Sequence, residues 1–111
     1  MTELESLRER VGKATGPDRD LEWDIQQELF GIDAVGFHET PHYTASIDAA
    51  LGLVERKLPG MGWELIAFDN REAGVQAVIG DDMADAPTAP LAILKALLSA
   101  LAAKASSEEA A

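Results

Sequence analysis

The sequence predicts a small α+β fold, in which one antiparallel hairpin is packed by about four helices around a single core. Three observations carry that prediction. The runs Trp63 to Phe68 and Ala73 to Ile79 have strand composition, and the second alternates, with Ala73, Val75, Ala77 and Ile79 on one side. Four other stretches repeat apolar residues every three or four positions and are bounded by capping residues, Gly or Pro. A chain of 111 residues, 47% apolar and 26% charged, suits one domain that buries its own core; it is expected to span 1–111, with frayed ends at 1–2 and 105–111.

Thr2 and Glu5 have capping-box spacing, and Leu4, Leu7, Val11 and Ala14 follow on one face, so a first helix covers about Glu3 to Ala14 before Gly16 stops it. Pro17 suits the first position of a second helix capped by Gly16 or Thr15. Asp18, Asp20 and Glu22 then read as a solvated face near the positive end of the helix dipole. Leu21, Trp23, Ile25 and Leu29 supply its apolar contacts, and Gly31 suits the C-cap. Between Ile32 and Tyr43 the pattern weakens, leaving room for a third short strand near 35–37.

Thr44 or Ser46 caps a third helix, with Asp48 in its first turn and Ile47, Ala50, Leu51, Val54 and Leu58 as its core stripe. Pro59, Gly60 and Gly62 end it and lead into Trp63. Asp69 to Glu72 reads as the hairpin turn, and Gly80 to Pro87 as an acidic loop. A last helix opens at Thr88 or Ala89, with Pro90 tolerated in its first turn. Its seam of Leu91, Leu94, Leu98 and Leu101 is widened by Ile93 and Leu97, which predicts burial on more than one side. That burial can come from the sheet and the other helices, or from a homo-oligomer interface through the same four leucines.

Charge and composition narrow the chemistry. With no cysteine, disulfides, thiolate metal sites and thiol nucleophiles are excluded. Twenty acids against nine bases give a net charge of -11, which repels phosphate backbones, so direct nucleic-acid binding is not expected and a basic partner surface is favoured. The start MTELESLRER lacks the apolar stretch of a secretory signal, and Leu91 to Ala103 is too short for a bilayer, so a cytoplasmic protein without membrane contact is expected.

His38 to His42 spells H-E-T-P-H, the letters of a zinc-protease helix, but Pro41 disfavours the helix that would place both imidazoles on one face. Asp18, Asp20, Glu22 and Asp24 lack the sixth-position Gly and twelfth-position Glu of a calcium loop. Asp81, Asp82 and Asp85 read as a solvent-facing acidic loop. Ser46, His42 and Asp48 can be drawn as a triad, yet no nucleophile elbow supports it, and no glycine-rich phosphate loop precedes a helix. No enzyme activity, cofactor or metal is therefore expected. The residues with binding character are Tyr43, Thr44, Ser46, Trp63 and Arg71, because aromatics, helix-start donors and a free cation commonly line ligand sites.

Four segments carry a family resemblance: Ala14-Thr15-Gly16-Pro17-Asp18-Arg19-Asp20-Leu21, Tyr43-Thr44-Ala45-Ser46-Ile47-Asp48-Ala49-Ala50-Leu51, Gly62-Trp63, and Pro90 to Leu98, PLAILKALL. In these the chain resembles the phage ABA sandwich domain, a family of small phage and prophage proteins without an established activity. The resemblance implies a layered helix and sheet sandwich of phage or prophage origin. Joined to the acidic charge and the missing catalytic constellation, it predicts a non-enzymatic accessory protein that binds a host or phage protein. The alternatives are a small-ligand binder, for example of a nucleotide signal, and an acidic mimic of nucleic acid, which requires its acids to share one face.

Overall fold

The computed structural model describes residues 3–31, 36, 38–67 and 74–110. Seven elements follow one another: α1 (Glu3–Lys13), α2 (Arg19–Phe30), α3 (Ile47–Lys57), β1 (Trp63–Ala67), β2 (Val75–Ile79), β3 (Asp82–Ala86) and α4 (Ala89–Ala110). The α+β class is as the periodicities predict. The three strands form one antiparallel sheet in the order β1-β2-β3.

The predicted hairpin pairs in the register Trp63↔Ile79 through Ala67↔Val75. A further bond from the Gly80 amide to the Gly62 carbonyl, 2.9 Å, extends the ladder past its end. The third strand is not where the sequence suggests: the proposed 35–37 strand falls largely outside the described residues, and Gly36 is not in a strand. It is instead β3, inside the segment read as an acidic loop, paired with β2 from Val75↔Ala86 to Ile79↔Asp82. Gly80 and Asp81 form the two-residue connection, and Gly80 takes φ +60°, as a primed hairpin turn asks of its first central residue. The inward side chains of β3 include Ala84, which is buried, while Met83 and Asp85 face out.

Helix α4 occupies the middle of the molecule, with β2 and β3 on one side and α1 and α3 on others. Leu91, Ile93, Leu94, Leu97 and Leu98 are each at most 1% exposed. An all-round apolar helix gains from being enclosed on every side, at about 1.5–3 kcal/mol for each large side chain buried. The leucine seam is thus core, which corrects the oligomer reading: Leu91, Leu94 and Leu98 face the protein's own elements, and Leu101 is partly buried against the same core. The helix runs on to Ala110, through the stretch whose composition suggested a frayed tail.

Helix α3, with a single apolar stripe, packs on α4. Its buried residues are Ala50, Leu53 and Val54, whereas Ile47, placed in the predicted stripe, is 43% exposed at the first position. Helix α2 packs on α1, and its end is held by α3: the Lys57 ammonium donates to the Leu29 carbonyl and lies 4.6 Å from the centre of the Phe30 ring. A cation there satisfies an orphan carbonyl at the negative end of the helix.

Candidate functional site

The predicted site residues Tyr43 and Thr44 lie on the turns that join α2 to α3. Their environment starts from α2, where Asp18, not Gly16 or Thr15, is the N-cap; its side chain accepts the Leu21 amide at 3.0 Å. That cap places Glu22 and Gln26 one helical turn apart on the same face. Both are buried.

The adjacent Thr44 and Tyr43 dock on these two residues. The Thr44 hydroxyl donates to Glu22 Oε2 at 2.6 Å, and the Thr44 amide donates to the same oxygen at 2.9 Å. The Asp18 amide in turn donates to Thr44 Oγ1 at 2.8 Å. Glu22 Oε1 receives Arg19 at 2.8 Å, with the exposed His42 ring 3.8 Å away. One turn along, the Tyr43 hydroxyl donates to Gln26 Oε1. Burial raises the Tyr43 phenol above its ordinary pKa; Arg56 opposes the rise and the Glu22 charge adds to it.

This cluster corrects two expectations. Glu22 is not part of a solvated acidic face, because Thr44 and Arg19 fold over it and supply the hydrogen bonds that make burial of a carboxylate tolerable. Tyr43 does not line an open pocket, since it is 1% exposed and its hydroxyl is engaged. Among the described residues no buried side-chain nitrogen or oxygen lacks a partner. The cluster works as a clasp between α2 and the turns before α3.

Ser46 is likewise structural: it is the N-cap of α3, its hydroxyl accepting the Ala49 amide at 3.2 Å. Residues 38–46 are successive turns rather than a helix, with both histidines of H-E-T-P-H exposed. Asp82 and Asp85 stand three apart in β3 and point to opposite faces, so they cannot converge on one cation. Among the described residues no group of three or more His, Asp or Glu could hold a metal ion. Arg71 lies outside the described residues.

Trp63 differs from the others. It begins β1 with 46% of its surface exposed and walls an open depression of about 310 Å³ together with Gly62, Glu64, Val78 and Gly80. None of Tyr43, Thr44 or Ser46 contributes to it. Four large apolar residues are exposed among those described, Ile47, Met61, Trp63 and Met83; Trp63 pairs with Ile79 and Met83 with Val78, adjacent positions of β2, so their side chains project from opposite faces of the sheet. Met61 lies against Gly80, where a Cβ would come within 2.5 Å of its sulfur, and Met83 pairs with Val78 across the β2–β3 ladder. The two methionines carried no signal in the sequence, because single Met residues in a loop and in a supposed acidic turn show no period.

Other openings lie between helices. One of about 450 Å³ between α1 and α2 is walled by Glu3, Asp24 and Glu28, with Arg10 held on Asp24 at 2.5 Å. Another, of about 340 Å³, has Leu4, Leu29 and Leu101 beside Lys57 and Lys104. No helix among the described residues is long and apolar enough to cross a membrane. Comparison of the chain with protein-family models, with curated proteins and with solved structures returned no match.

Proposed function

We propose that this protein is a non-enzymatic accessory protein of phage or prophage origin that acts in the bacterial cytoplasm by binding a host or phage protein. The observation that carries the reading is the exposure of Met61 and Trp63, two residues apart where the chain enters β1. Exposed aromatic and methionine side chains that share a patch are the side chains protein interfaces favour, whereas scattered single exposures are ordinary. The polar residues that suggested a small-ligand pocket support the alternative poorly, because Tyr43, Thr44 and Ser46 are all engaged in the fold. The phage origin draws its support from the resemblance in the Ala14 to Leu21, Tyr43 to Leu51 and Pro90 to Leu98 segments.

Affinity capture from a bacterial host, with the wild-type chain beside a Met61→Ala/Trp63→Ala double variant, tests the reading. One protein retained in near-equal amount by the wild type and lost with the double variant is the expected result. Repeated capture that returns no protein, or one held equally by both chains, overturns it.

A further inference from the structure

We propose that the open edge of β1 pairs with the same edge of a second copy of this chain, antiparallel and related by a two-fold axis, so that two three-stranded sheets join into one of six strands. The direction of the main-chain groups follows from the ladder. The Gly80 amide donates to the carbonyl of Gly62 opposite it, which makes these two a hydrogen-bonded pair. Such pairs alternate along an antiparallel ladder, so Glu64 and Ile66 turn their main-chain groups to β2, and Trp63, Leu65 and Ala67 turn theirs outward. The far side of β2 agrees. The connection Gly80-Asp81 is closed by the bonded pair Ile79 and Asp82, which leaves Val78 to bond with Glu64. Strand β1 ends the sheet, and among the described residues no hydrogen bond from outside the sheet reaches the main chain of Trp63 or Leu65.

An unpaired edge is a template for any extended chain, and proteins guard such edges or use them. The two edges of this sheet differ in that respect. On β3, Asp82 and Asp85 supply charge, and the Lys95 ammonium lies 3.4 Å from the outward Asp85 carbonyl. Strand β1, Trp63–Ala67, holds no Lys, Arg or Pro, and its one charge is Glu64. Helix α4 packs on β2 and β3, while Trp63 is 46% exposed and Leu65 only partly buried. That offset also makes room for a second copy. With the two β1 strands side by side, the α4 helices stand roughly four strand spacings apart, about 19 Å, well clear of one another.

Self-pairing admits few registers, because outward groups must meet outward groups. An axis at Leu65 engages all three outward residues: Leu65 meets its equivalent, and Trp63 meets Ala67 of the second copy. Each of these pairs exchanges two main-chain hydrogen bonds. The same axis sets Glu64 opposite Ile66, so no like charges are opposed. An axis at Glu64 would oppose the two carboxylates directly, which destabilises a pair, and an axis at Ile66 would leave Trp63 out of the pairing within β1. The net charge of -11 on each copy resists approach at long range, so the dimer should tighten as salt screens that charge. Strand pairing consumes main-chain groups, and Met61, which precedes β1, stays available to the partner protein proposed above.

Sedimentation equilibrium of the full chain from about 1 μM to 1 mM, the span in which weak complexes assemble, tests the pairing. The mass should rise from 11.8 kDa toward twice that value. Amide hydrogen exchange at the two ends of this range locates the contact. The Trp63 and Leu65 amides should slow at least about tenfold in the concentrated sample, while those of Glu64 and Ile66, bonded to β2, are slow in both. Ile66 is partly buried on the sheet face away from α4, so it accepts exchanges that keep the fold, which circular dichroism checks. Ile66→Glu opposes Glu64 twice in the dimer and should raise the dissociation constant about tenfold; Ile66→Lys should lower it, and Glu64→Lys/Ile66→Glu should restore the wild-type value.

A single mass of 11.8 kDa at every concentration overturns the inference. A dimer indifferent to the Glu64 and Ile66 exchanges, or one whose slowed amides lie elsewhere, overturns it as well. Trp63 and Leu65 amides already slow in the dilute monomer would mean that the chain covers its own edge, with the same consequence. If the chain alone stays monomeric and these amides slow only with a protein captured from the host, the edge takes a foreign strand: the two-copy inference fails and the protein-binding reading stands. If the dimer forms while capture returns nothing, the reverse holds.

Discussion

Glu22 shows how much of this fold depends on contacts between residues far apart in sequence. Its carboxylate is buried only because Thr44, twenty-two positions later, presents both an amide and a hydroxyl to Oε2 while Arg19 holds Oε1. A sequence reading places Glu22 among first-turn acids and gives it to solvent, since nothing local to α2 announces that another segment will cover it. Thr44→Val removes the hydroxyl that donates to Glu22 and accepts the Asp18 amide. The loss should cost about 2–3 kcal/mol, the range for a hydrogen bond to a buried charged group, while Thr44→Ser should cost about 1 kcal/mol or less. Urea unfolding of the two variants measures the difference.

Tyr43 is the only tyrosine, so phenolate absorbance reads its titration directly. Its folded pKa is raised, first by burial, so the folded state holds the proton more tightly than the unfolded chain does. The stability that follows is fully present below the unfolded value of about 10 and is lost as pH rises through the folded one. Native absorbance should therefore titrate at higher pH than in the urea-unfolded protein. The unfolding free energy should fall above about pH 10 more steeply in the wild type than in Tyr43→Phe. Equal slopes would place the phenol in water.

At the scale of elements, α2 and α3 were legible, because each combines a clear period with a strong stop: Gly31, with φ +94°, after α2 and the Pro59-Gly60 pair after α3. Strand β3 was not legible. Its inward residues are small and its outward ones are Met83 and Asp85, so the alternation exists in burial but hardly in hydropathy. The Gly80-Asp81 pair was the available signal, a two-residue hairpin connection. In the candidate site Trp63 was visible as an aromatic, but its exposure follows from its place at the start of an edge strand, which only the strand order shows.

The two glycines at the ends of β2 separate backbone strain from steric conflict. Both have positive φ, +73° at Gly74 and +60° at Gly80, so alanine at either should cost about 1–2 kcal/mol for the left-handed conformation alone. At Gly80 the added methyl meets the flexible end of Met61, which can move aside. At Gly74 it runs into the backbone carbonyl of Ala86, which the β2–β3 ladder holds in place. Gly74→Ala should accordingly lose about 3 kcal/mol or more and Gly80→Ala about half of that, as thermal unfolding of the two variants will show.

For the whole molecule, the enclosure of α4 decides how the chain responds to damage. Leu98 is fully buried among the protein's own elements, and Leu98→Ala should destabilise by about 3–5 kcal/mol, the usual loss when a leucine leaves a cavity that cannot collapse. Were the leucine seam a subunit interface, the same substitution would instead change the mass in solution. Sedimentation equilibrium of wild type and Leu98→Ala should return the same mass at concentrations where both remain folded, while calorimetry records the lost stability.

The central position of α4 also sets the order of events during synthesis. Of the described elements it leaves the ribosome last, yet it supplies the surface on which α1, α3, β2 and β3 pack. Until Leu91 to Leu98 emerge, the earlier helices and the meander expose the apolar faces that α4 will cover, and their longest-range partner contact, α1 with α4, cannot form. Folding is therefore a late, nearly single event that waits for the closing helix, and a nascent chain halted before Leu91 would be a substrate for chaperones.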